Sequence, residues 1–190
     1  MLPADPFENE ATAETPASIV SFWRDAGPDR WFEKDDAFDR EFRRRFLPAH
    51  MAASRRRLDH WMETPDGCLA LVILLDQLPR NAFRDCAHMY ATDALGRYVA
   101  RHMLECGYDT LVDGAMRVFC YLPFSHSENL ADQDLAVSRN EPLGDPYLKF
   151  AHIHRDIIRR FGRFPHRNHA LGRETSADEQ AFLDHGGFAG

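Results

Sequence analysis

Three prolines, Pro79, Pro123 and Pro165, each follow Leu or Phe at the end of a stretch with helical apolar spacing, and they lie 44 and 42 residues apart. Proline has no N–H for the carbonyl four residues back, and its ring collides with that carbonyl, so each reads as a helix end. Two helical patterns lie between successive prolines. If neighbouring helices pack antiparallel, every second helix points the same way, and the three ends gather at one end of a helical layer. A period of this length with two helices per unit belongs to helical solenoids. The prolines carry the repeat; no residue-level repeat accompanies them.

The remainder of the chain agrees with an all-α reading of eight or nine helices joined by short loops, with no strand pattern. Thr15-Pro16, Thr64-Pro65 and Gly144-Asp145-Pro146 are cap-then-proline helix starts. Ile19, Val20, Phe22 and Trp23 give the first helix an apolar face, Gly27-Pro28 stops it, and Trp31 and Phe32 follow as core plugs. A second helix starts near Asp35 or Asp36 with Phe38, Phe42 and Phe46 at i+4; Pro48 predicts a bend or fresh start, and the pattern then resumes to Trp61. Leu69 to Leu75 is apolar on every side, which predicts a central buried helix ended by Pro79. Thr92-Asp93 opens a helix running to Glu105, with Gly107 past its end. A fifth helix is expected from about Thr110 to Leu122, ended by Pro123. A sixth is capped by Ser125 with Glu128 as its capping-box partner, and continues to about Asn140. Tyr147, Phe150, His154, Ile157, Phe161 and Phe164 line one face of a seventh, and Thr175 to Glu179 cap a last short one.

With 190 residues and 44% hydrophobic content, the chain is long enough for one good core. Residues 1–14 are acidic and read as a mobile tail ahead of a single helical domain over 15–188. The longest apolar run, Cys68 to Leu75, is far short of the ~20 residues of a membrane span, and the N-terminus lacks a signal-peptide pattern, so the expectation is a cytoplasmic protein. The four cysteines form no Cys-x-x-Cys and read as buried reduced thiols. A net charge of −7 argues against nucleic-acid binding. That charge is uneven: residues 155–173 hold six Arg against Asp156, a local +5, which leaves −12 for the rest. A positive island in an acidic chain suggests a small anionic partner or an internal acidic one.

Gathering the proline ends brings Asp76, Arg80, Asn81, His126, Glu128, Arg163, His166, Arg167 and Asn168 to one edge, with His154 on the apolar stripe of the helix beside them. Asp76 interrupts the apolar pattern near a helix C-terminus, where a carboxylate needs a cation, and Arg80 is the nearest. His154 on its own reads as a core histidine bonded to backbone or carboxylate. Three readings of the edge stand side by side. Its Arg and His groups bind an anion or an acidic peptide end. It is the site of a hydrolase, metal-dependent or using His126 as base. Or its residues satisfy one another in a structural polar lock. The spacing matches no metal motif, and no phosphate loop, nucleotide fingerprint or Gly-x-Ser-x-Gly is present, so no cofactor is implied.

The strings LLDQLPRN, YLPFSHSENLADQ and FGRFPHRNHALGRETSADEQAFL, in this order, resemble the bacterial family called domain of unknown function 924, over roughly residues 17–188. The resemblance implies an all-α, tetratricopeptide-like right-handed superhelix of antiparallel helix pairs, and it implies no activity. It departs from the family pattern at Leu78, where an aromatic is expected, and at Ser125, where Met is expected; both changes bear on pocket shape.

Overall fold

The computed structural model describes residues 14–188. The all-α expectation holds: among the described residues there is no strand. The expected acidic tail lies outside them except for Glu14, which accepts a 2.6 Å hydrogen bond from Ser18 Oγ. Helix α1 (Pro16–Ala26) starts at Thr15, whose hydroxyl accepts from the Ser18 amide while Ser18 reaches back to the Thr15 amide. α2 (Pro28–Trp31) is a single turn; it buries Trp31, but Phe32 after it stays 55% exposed and plugs nothing.

Pro48 brings no fresh start in α3 (Asp36–Ser54). Pro48 lies inside one continuous helix, which ends at Ser54 rather than Trp61. Arg56, at φ +62°, turns the chain before a 3₁₀ segment at Asp59–Glu63 carries it to Thr64.

Pro79 does not end its helix either, and here the reason is visible atom by atom. α4 (Pro65–Val72) continues through a π turn at Ile73–Gln77 directly into α5 (Leu78–Ala82), with Leu78 N–H bonding back to Ile73 O. The π turn opens the ladder where Pro79 has no N–H to give. The carbonyls so released find side-chain donors. His50 Nδ1 donates to Leu74 O at 2.8 Å, Thr92 Oγ1 to Leu75 O at 2.6 Å, and Arg80 Nη1 to Asp76 O at 2.7 Å. Thr92 therefore spends its hydroxyl on the π turn rather than on capping α6 (Asp93–Glu105), which begins beside it. Replacing Thr92 by the isosteric Val strips the buried Leu75 carbonyl of its donor. The expected loss is about 1–3 kcal/mol of unfolding free energy, measured by urea titration.

The predicted fifth helix is replaced by 3₁₀ turns at Tyr108–Leu111 and Arg117–Cys120, followed by the one-turn α7 (Leu122–Ser125). Pro123 sits in the first turn of α7, not at a helix end. α8 (Leu130–Asn140) is capped by Asn129, not Ser125, with the Asn129 carboxamide oxygen accepting from the Ala131 and Asp132 amides. α9 (Tyr147–Phe161) packs on α8 and closes at Gly162 in the left-handed region. Pro165 lies beyond α9 in a 3₁₀ turn at Pro165–Arg167. α10 (Ala177–Asp184) has a capping box, Ser176 with Glu179.

α4 is the buried centre, as its all-round apolar sequence requires. It packs between α1 and α6, while α5 lies on α3. Trp23, Phe42, Phe46, Phe119 and Leu69 to Leu75 lie at 2% exposure or less in the main core. A smaller core of Ile157, Ile158 and Phe164 sits under α9, with Phe161, Phe182 and Phe188 packed on it. Only two of the four cysteines are buried: Cys68 and Cys120 are free thiols pushed up to about 12 chiefly by burial, whereas Cys86 and Cys106 are exposed. No helix of the described residues is long and apolar enough to cross a membrane.

Candidate functional site

The π turn and α5, the segment after α7, and α9 with the turn that follows it converge on a pocket of about 350 Å³. That volume falls within the ~300–1,000 Å³ of small-molecule sites. Trp31, Phe32, Leu122, Tyr147, Phe150 and Phe188 form apolar wall, and Phe32 and Phe150 remain half-exposed. Arg80, His126, His154, His166 and Arg167, together with Glu33, Gln77, Asn81, Arg84 and Tyr90, supply the polar lining. A larger groove of about 550 Å³ runs between α1 and α3, but its charged lining residues, such as Asp25, Arg30 and Glu41, are solvent-facing surface groups.

Asp76 anchors the polar end. It is completely buried, and both carboxylate oxygens are engaged. His126 Nδ1 donates to Oδ1 at 2.8 Å, Gln77 Nε2 to Oδ2 at 2.6 Å, and Arg80 Nη1 lies 3.1 Å from Oδ1. Burial opposes charge on Asp76, but Arg80 and then His126 outweigh it and hold the carboxyl well below the usual carboxylate range. Arg80 also clamps Asp93 through both terminal nitrogens, at 2.9 and 3.2 Å.

Arg167 is placed differently. It is 6% exposed and stacks between the rings of Tyr90 and Phe164, 4.7 and 4.4 Å from their centroids. Its carboxylate neighbour, Asp93, is 3.5 Å away and already held by Arg80; its Nε has no partner among the described residues. Burial and then the charge of Arg80 lower the guanidinium to about 10. His154 is buried with both ring nitrogens unpartnered among the described residues, and His166 Nδ1 is in the same position. Burial first, then His126 and Arg167, push His154 down to about 3. For His166 burial and then Arg167 do the same, to about 4. His154 is therefore a core histidine as expected, but not one satisfied by backbone or carboxylate.

The ten residues singled out in the sequence divide. Asp76, Arg80, His126, His154, His166 and Arg167 share the pocket end. Asn81 lines the pocket but its amide donates to Asp39, which also receives Arg84. Glu128, Arg163 and Asn168 belong to a separate polar lock. Glu128 accepts the Phe164 amide at 2.9 Å and a two-pronged bond from Arg173 at 2.8 Å. Arg163 grips Glu179 at 2.6 and 2.8 Å, and Asn168 donates to Glu179 as well. This bonding holds Glu179 down at about 2, through Arg163 first and the Ser176 amide second. Among the described residues no group of three or more His, Cys, Asp and Glu is arranged to hold a metal ion.

A family model described as a bacterial protein of unknown function, DUF924, matches residues 19–187. The chain belongs to this family. A solved structure of a protein of unknown function from Agrobacterium tumefaciens is similar at 55% identity and a TM-score of 0.88, covering 90% of this chain and 97% of that one. A comparison with curated proteins gives no match.

In this DUF924 protein Leu78 and Ser125, the two positions expected to shape the pocket, are both buried, and neither lines it. Sequence reasoning missed Asp93, Tyr90, Arg173 and Glu179. Asp93 looked like an ordinary first-turn helix acid, and nothing local distinguishes it. Arg173 carries a signal, since it closes the Arg-rich stretch, but its partner lies 45 residues away.

Proposed function

We propose that the pocket binds a small amphipathic anion, its charged head against Arg167 and its apolar body against Phe32, Tyr147, Phe150 and Phe188. One observation carries the reading: Arg167 Nε is buried with no hydrogen-bond partner among the described residues, and the carboxylate nearest Arg167, Asp93 at 3.5 Å, is shared with Arg80, which bonds it more closely. A buried guanidinium N–H without an acceptor is costly, and a bound anion removes the cost. The depressed His154 and His166 support this, because they remain neutral at pH 7 and leave the guanidinium of Arg167 as the cation beside them. The size of the pocket favours a small molecule over an extended acidic peptide. The polar-lock reading is favoured for the other half of the predicted cluster, where Glu128 and Glu179 are matched to Arg173 and Arg163.

The test uses 8-anilinonaphthalene-1-sulfonate, which joins an anionic head to aromatic rings, and competition by aromatic carboxylates. Saturable binding at one site is expected. Arg167→Met should weaken it by roughly 10–100-fold, the value of a hydrogen bond to a charged group, and moderate salt should weaken it little because the pair is buried. Equal affinity in wild type and Arg167→Met would remove Arg167 from the site and the reading with it.

A further inference from the structure

We infer that Asp76 and His126 form a general-base pair, and that the pocket hydrolyses a small ester carrying a negative charge, with water as the nucleophile. This rests on the anion-binding reading above and assigns that site a reaction.

The pair has the required geometry. An ionised carboxylate only accepts, so the ring proton of His126 lies on Nδ1, donated to Asp76 at 2.8 Å, and the basic lone pair lies on Nε2. Asp76 cannot drift from this role: Gln77 and Arg80 hold the same carboxylate from other directions. His126 lines the pocket, so a ring oriented from behind by a buried acid faces the cavity. A buried acid fixing the tautomer of an imidazole is the arrangement by which a histidine takes a proton from a nucleophile. Burial and then Arg80 lower the pKa of His126 against the opposing pull of Asp76, which keeps the ring neutral at pH 7, as a base must be.

The lining also selects the nucleophile. No Ser, Thr or Cys lines the pocket among the described residues, and the hydroxyls its lining offers are the phenols of Tyr90 and Tyr147. Water is therefore assigned as the nucleophile. His126 Nε2 takes a proton from the water as its oxygen bonds to the acyl carbon, and the carbonyl π electrons move onto oxygen. The His166 ring, which lines the pocket, offers a hydrogen bond to that oxyanion, while Arg167 holds the anionic group of the substrate. The oxyanion then collapses, the C–O bond to the leaving group breaks, and the proton on His126 Nε2 passes to the departing alkoxide. The products are a carboxylic acid and an alcohol, with His126 neutral again. Asp76 is a positioning residue throughout.

The experiment compares mono-4-nitrophenyl glutarate, an ester with a free carboxylate, with neutral 4-nitrophenyl butyrate. The wild-type protein should release 4-nitrophenolate above the buffer rate, favour the charged ester at least tenfold, and lose rate as pH falls and His126 protonates. His126→Gln should lower the rate by roughly 100-fold or more, the usual contribution of a general base. Added imidazole should restore part of the rate in His126→Gly, which a merely misfolded variant would not show. Asp76→Asn should move the acid limb of the pH profile to lower pH, because the Asp76 charge raises the pKa of His126; a purely structural role would change the amount of folded protein and leave the limb in place. A His126→Gln rate equal to wild type overturns the inference. A wild type that binds anilinonaphthalenesulfonate but hydrolyses neither ester overturns it too, and leaves the anion-binding reading standing. A wild type that does neither overturns both.

Discussion

Replacing Asp76 with Ala is expected to destabilise the protein by roughly 3–5 kcal/mol, the penalty for removing one partner of a buried ion pair. The loss would be a large share of the ~5–15 kcal/mol that typically separates folded from unfolded chains. The mechanism is the stranding of others rather than the loss of one contact. Arg80, with 14% of its side chain exposed, would keep Asp93 but lose its second carboxylate. The Gln77 amide and His126 Nδ1 would lose the buried carboxylate that accepts from both. Two further variants separate charge from packing. Asp76→Asn keeps the shape and removes the charge, so it should fall between wild type and Asp76→Ala. The double variant Asp76→Ala, Arg80→Met removes the stranded cation, so it should recover part of the loss. Urea titrations of the three variants measure all of this. A loss below about 1 kcal/mol for Asp76→Ala would mean that Asp93 alone compensates Arg80.

That site also marks where local sequence chemistry stops being sufficient. The caps at Thr15, Asp35, Thr64 and Ser176 were legible because each is settled within a few residues: a side-chain oxygen accepts an amide two or three positions on. The same four-residue pattern, Ser-x-x-Glu, occurs at Ser125 and at Ser176, yet only Ser176 caps a helix. Glu128 is drawn away to the Phe164 amide and to Arg173, partners that no local window contains. Proline went wrong for a related reason. The rule that proline ends a helix assumes the freed carbonyls have nowhere to go, but at Pro79 they go to His50 and Thr92, from other elements. The prolines thus do not mark three equivalent helix ends. The residues beside them still converge, since Arg80, His126 and His166 line one pocket. The polar density of those segments carried that information, and the helix geometry built on it did not. The division of the cluster into a pocket half and a lock half needed three-dimensional pairing to be seen.

Acid should unfold this protein well before its carboxylates protonate. The groups responsible are histidines: His154 is held at about 3 and His166 at about 4, with His50 and His126 also lowered, each chiefly by burial. The sign follows from where the protons bind. Below pH ~6.5 the unfolded chain takes up protons on these rings while the folded protein does not, so the unfolded state binds more protons and stability falls as pH falls. The stabilisation is complete above the unfolded value near 6.5 and is lost progressively toward the folded values. By pH 5, a histidine kept neutral costs about 2 kcal/mol relative to pH 8, so His154 and the only partly buried His166 together account for roughly 3–4 kcal/mol. His50 and His126 add in the same direction. Asp76 and Glu179, whose folded values are also lowered, contribute only below the ordinary carboxylate range and cannot account for a loss above pH 5. Denaturant titrations at pH 8, 6.5 and 5 should therefore show a steep fall, and His154→Gln should flatten it by about 2 kcal/mol over that interval whatever its stability at pH 8. A His154→Gln variant with the wild-type slope would mean that His154 gains a proton in the folded state, and that the pocket end is wetter than its burial indicates. A bound anion sharpens the distinction. If its head sits at Arg167, it lowers the cost of a positive charge nearby, so the ligand should raise the stability at pH 5 by more than at pH 8.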